Sequence, residues 1–121
     1  MTKARDDGPR ASAVYTLLVE VGRKEGDGLP AGATGAGLLC YAAATSEAEA
    51  VRETVAVLKT AGLAPLEVTA HGTRAERESA GETIDPAEIA LMERAAAENA
   101  VIVAEVTTFD DDDNDMMVED D

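Results

Sequence analysis

Few side chains in this 121-residue chain carry reactive chemistry, since it has one histidine, His71, and one cysteine, Cys40. Histidine titrates near neutrality and suits general acid–base work. His71 closes a run from Leu66 that alternates apolar and polar residues as a strand does. No nucleophile with a triad-like partner accompanies it, so the plainer reading is an exposed strand end. Cys40 stands between Leu39 and Tyr41, where a small buried residue explains the sequence better than an activated thiolate. One Cys and one His also fall short of the four ligands of a structural zinc site. No cofactor is implied.

Arg74 and Arg77 follow His71 in a polar segment that also holds Glu76, Glu78 and Glu82. A guanidinium grips a carboxylate through two parallel bonds, which makes His71, Arg74 and Arg77 the residues chosen for any small-anion contact. Near the C-terminus, Asp110, Asp112 and Asn114 have the spacing of the first three ligands of a calcium-binding loop. The pattern then fails, with Asp115 at the sixth position instead of glycine and Asp121 at the twelfth instead of glutamate. Asp110, Asp111, Asp112, Asp113 and Asp115 are therefore read as contacts for a basic partner and not as metal ligands. Residues 22–37 hold Gly22, Gly26, Gly28, Gly32, Gly35 and Gly37, but Ala31 stands where a dinucleotide fingerprint needs its third glycine, and no lysine is placed for a phosphate. That density of glycine predicts a long flexible loop.

The elements that position these residues follow from periodicity. Val14 to Val21 alternates as a strand, and Leu38 to Ala43 is a short apolar run of strand length. Ser46 and Glu49 have capping-box spacing ahead of Val51, Val55 and Leu58, which predicts a helix over 47–61 closed by Gly62 and Pro65. Residues 72–83 read as a loop or a ragged edge strand. A second helix opens at Asp85 and Pro86, with Glu88 completing a box, Ile84 stapled to Ile89 and Asn99 as terminator. Val101 to Phe109 makes the last strand. The order β-β-α-β-α-β predicts an α+β two-layer sandwich, ferredoxin-like or a close variant, with a mixed four-stranded sheet and two helices on one face. Residues 13–109 form the domain, between a disordered arm over 1–12 and a disordered acidic tail over 110–121.

Composition narrows the function classes. Ten basic residues against 25 acidic give a net charge of −15, which disfavours nucleic acid and anionic lipid. Eight of the acidic residues lie in 110–121. The polar N-terminus has no apolar signal core, and the single cysteine forms no internal disulfide, so the expected location is cytoplasmic, with no membrane anchor. Many of the interface positions are alanine, which bury little area each, and this motivates a homodimer that hides the second sheet face. The leading expectation is a non-catalytic interaction or regulatory protein that binds a basic protein through its acidic surface and tail. A small-molecule-sensing regulatory domain is the alternative, and a small dimeric enzyme using His71 ranks last. A compact α+β domain with an Asp-rich C-terminal tail resembles, in layout, the bacterial regulators of ribonuclease activity of the B type. Acidic immunity proteins share that logic. The resemblance implies protein binding and carries no residue motif.

Overall fold

The computed structural model describes residues 13–110; the arm over 1–12 and residues 111–121 lie outside the described residues. Four strands, β1 (Ala13–Val21), β2 (Ala33–Ala44), β3 (Pro65–Thr73) and β4 (Val101–Asp110), alternate with three helices, α1 (Glu47–Thr60), α2 (Arg74–Ser79) and α3 (Pro86–Glu98), in the order β1-β2-α1-β3-α2-α3-β4. The fold is α+β. Its sheet runs β3-β1-β2-β4, and every neighbouring pair is antiparallel, so the sheet is not mixed. β2 and β3 do run the same way, but β1 lies between them and they never pair.

The helices take opposite faces. In β1 and β2, Leu17, Val19, Val21, Ala36, Leu38, Cys40 and Ala42 alternate onto one face and pack with Ala50 and Leu58 of α1. Tyr41, Val14, Leu39, Ile102 and Ala104 point the other way, against Met92, Ala95, Ile89 and Leu91 of α3 and against Ile84. This replaces the expected arrangement of both helices on one face, and with it the two-layer sandwich. The physical cause is visible in β2, where Cys40 and Tyr41 are adjacent and both fully buried. A strand buried on both sides needs cover on both sides.

The glycine-rich segment is shorter and more ordered than its composition predicts. β2 starts at Ala33 and takes in Gly35 and Gly37. At Gly35 a Cβ would lie 2.6 Å from the Val21 carbonyl oxygen, so here glycine permits a close strand approach and does not mark a loop. The remaining loop is pinned by one ion pair. Arg23 Nε donates to Asp27 Oδ2 at 2.9 Å, and Arg23 also donates to the Pro30 and Ala33 carbonyls. Asp27, almost fully buried, accepts in turn from the Lys24 and Leu29 amides.

Helix ends follow the expected signals in part. Ser46 accepts from the Glu49 amide at 3.1 Å, but the Glu49 carboxylate turns to the Thr45 amide and hydroxyl. Gly62 closes α1 with φ +91° and Asn99 closes α3 with φ 52°, both in the left-handed region. Residues 72–83 are neither loop nor edge strand throughout: β3 continues to Thr73, and α2 follows behind a full capping box between Thr73 and Glu76.

Candidate functional site

The residues singled out from sequence do not converge. His71 is exposed at the extra position of a β3 bulge, between Ala70, which pairs with Leu17, and Gly72, which pairs with Thr16. Arg74 is exposed on α2 and pairs with Glu78 at 3.1 Å. Arg77 turns inward instead. Its Nε donates to Glu82 Oε1 at 2.9 Å, and its Nη1 donates to Thr16 Oγ1 at 3.1 Å and to Glu88 Oε1 at 3.2 Å. Asp110 contributes its backbone to β4 opposite Ala33, while Asp111, Asp112, Asp113 and Asp115 lie outside the described residues.

Around Arg77 the structure assembles a polar network that spacing alone does not reveal. The Tyr41 hydroxyl donates to Glu88 Oε1 at 2.6 Å. That bond, joined by Arg77, lowers the Glu88 pKa. Burial, then the adjacent carboxylate, pushes the Tyr41 phenol far above its ordinary range. Burial opposes the charge on Arg77, but its bonds to Glu82 and Glu88 outweigh that and hold its pKa above the usual value. The expected box between Asp85 and Glu88 does not form, because Glu88 is engaged here and Asp85 makes no side-chain cap. The Nε and Nη1 donors of Arg77 are thus engaged by the protein's own oxygens. Cys40, fully buried, has its thiol pushed up to about 11 by desolvation. Among the described residues no group of three Asp, Glu, His or Cys side chains is placed to hold a metal ion.

A different surface stands open. α3 covers only the part of its sheet face around Val14, Leu39, Tyr41, Ile102 and Ala104. Beyond it, Leu18 lies opposite Leu39 across β1 and β2, and the Phe109 ring lies over Gly35 and Gly37. Leu18 is 43% exposed and Phe109 40%, so this apolar strip is half solvated. Carboxylates frame it. Glu20 sits directly opposite Glu67, and Glu105 directly opposite Leu39. Like charges facing each other across strands are destabilising. Among the described residues none of the three is in an ion pair. The larger of two adjoining hollows here is about 280 Å³, half open to solvent and lined by Leu18, Glu20, Glu67, Thr69 and Phe109, below the usual range for an enclosed drug-sized site. It suits a docking surface better than a small molecule.

Sequence reasoning missed this strip because it assigned Gly35 and Gly37 to a loop. Alternation extended back from Leu39 through Gly37 would have exposed it, since Gly37 pairs with both Glu20 and Thr107. No helix among the described residues is long and apolar enough to cross a membrane. Residues 14–110 match the model of one family, described as a domain of unknown function (DUF8846). No curated protein and no solved structure matches the chain.

Proposed function

The chain belongs to the DUF8846 family of domains of unknown function, and we propose that it acts as a non-catalytic interaction module for a basic protein. The observation that carries this reading is the strip made by exposed Leu18 and Phe109, with half-buried Leu39 at its edge beside α3, framed by Glu20, Glu67 and Glu105. A cationic amphipathic segment laid on it would bury apolar area and relieve the repulsion between Glu20 and Glu67. The acidic sequence from Asp110 onward starts one residue past Phe109, at the rim of the same strip, and adds long-range attraction for the same kind of partner. The non-catalytic part rests on where the reactive groups sit: Cys40 and Tyr41 are fully buried, and His71 is exposed on a bulge of β3.

The test uses a synthetic amphipathic peptide of alternating lysine and leucine. Binding is followed by fluorescence anisotropy with wild type, with the triple variant Glu20→Gln, Glu67→Gln, Glu105→Gln, and with a control of equal charge change at exposed sites, Glu25→Gln, Glu53→Gln, Glu93→Gln. The face variant should weaken binding by about tenfold more than the control, and wild-type affinity should fall as salt rises. Equal losses in the two variants would contradict the proposal.

A further inference from the structure

The two edges of the sheet are unequally protected. β3 begins with Pro65, its pairing with β1 shifts register at both ends, and α2 follows it at once. Proline and bulges are the usual means of blocking an edge. β4, at the other edge, has no proline, lysine or arginine, and from Val101 to Phe109 its only charge is Glu105. It exposes apolar side chains on both faces. Val103, opposite Cys40, and Val106, opposite Leu38, are 39% and 52% exposed on the α1 side, and Phe109 is exposed on the other. β4 carries one bulge of its own, at Ala104, but from Glu105 to Phe109 its ladder with β2 is regular, so along that stretch the outward backbone groups are set out evenly for another strand.

We propose that β4 is a self-association edge, at which two copies of this chain pair antiparallel along Glu105–Phe109, about Thr107, and join their sheets. The occupant is argued from charge and self-complementarity. Pairing about Thr107 uses the whole regular stretch and sets Thr107 against its own copy, Val106 against Thr108 and Glu105 against Phe109, whereas centring on Glu105 would oppose two carboxylates. Glu20 and Glu67 lie on β1 and β3, away from this edge, which between Val101 and Phe109 holds only Glu105, so charge directs a basic partner toward the face and leaves the apolar stretch of the edge to a second copy. The antiparallel sense also keeps the acidic C-terminal sequences apart. With Thr107 on the axis the two Asp110 residues lie about 20 Å from each other, more than two screening lengths at physiological salt. In this proposal the homodimer anticipated from sequence moves from a sheet face to a sheet edge, since α1 covers one face and α3 part of the other.

Sedimentation equilibrium on the full chain at about 100 µM tests this at about 50 mM and about 500 mM salt. Wild type should sediment as a dimer that tightens as salt rises, because each copy carries −15. That trend is opposite to the one expected for peptide binding, so the two proposals fail separately. Val106→Lys, at an exposed position, should raise the dimer dissociation constant more than about tenfold with an unchanged far-ultraviolet spectrum, while Val57→Lys on α1 should leave it unchanged. A monomeric wild type at both salts, or a Val106→Lys dimer as tight as wild type, would overturn the proposal.

Discussion

The hydroxyl of Tyr41, on β2, donates a 2.6 Å hydrogen bond to Glu88, in the first turn of α3, across 47 residues of sequence. It ties the second helical layer to the centre of the sheet. Arg77 joins the same carboxylate oxygen, so a buried phenol, a carboxylate and a guanidinium with 11% of its side chain exposed form one unit. Tyr41→Phe should destabilise the fold by about 2 kcal/mol, the order of a hydrogen bond to a charged group. A double-mutant cycle with Glu88→Gln in urea should show coupling, because the pair is in direct contact.

Asp27 should govern part of the acid limb of stability. Its carboxylate is held well below the usual carboxylate range, first by the Arg23 hydrogen bond and then by the Leu29 and Lys24 amides. A depressed folded pKa contributes stability that is fully present above the unfolded value, near 4, and is lost as pH falls toward the folded one. The stability gap between wild type and Asp27→Asn should therefore be constant through neutral pH and narrow below about pH 4. Urea denaturation at a series of pH values measures it.

Gly35 and Gly32 make a matched pair. A methyl at Gly35 meets the Val21 carbonyl oxygen at 2.6 Å, whereas one at Gly32 meets nothing within 4 Å. Gly35→Ala should cost about 2 kcal/mol through forced strand separation. Gly32→Ala should be neutral or stabilising by about 0.5 kcal/mol, because it restricts the unfolded chain. Thermal unfolding of the two variants side by side separates them.

Thr54, fully buried in α1, has a hydroxyl with no hydrogen-bond partner among the described residues. Thr54→Val keeps the shape and removes the unpaired group, and should stabilise the protein by about 1 kcal/mol. An unchanged or lower midpoint in urea would show that the hydroxyl is satisfied in solution.

Local signals carried much of the fold. Ser46, Gly62, Pro86 and Asn99 mark helix ends where the structure has them, and alternation located β1, β3 and β4, while an apolar run located part of β2. What escaped depends on contacts distant in sequence. Gly35 and Gly37 look like loop residues until Val21 and the Phe109 ring, over 70 residues further on, are seen to need the space. Glu88 has the spacing of a cap, but Tyr41 and Arg77 compete for it and prevail. The two-sided burial of β2 was hidden because Leu38 to Ala43 is apolar throughout, and such a run does not reveal how many faces are covered. By contrast Thr73 and Glu76 carry a legible capping box, and the helix behind it was recoverable from sequence.

The central claim is that the strip of Leu18, Leu39 and Phe109 within its carboxylate frame is where a basic partner docks. Amide chemical-shift mapping of the labelled full chain, titrated with the lysine–leucine peptide, tests this most directly. The account predicts the largest shifts at Leu18, Glu20, Gly37, Leu39, Glu67, Glu105 and Phe109, with α1 little affected. Shifts confined to the acidic residues after Asp110, or centred on α1, would contradict it.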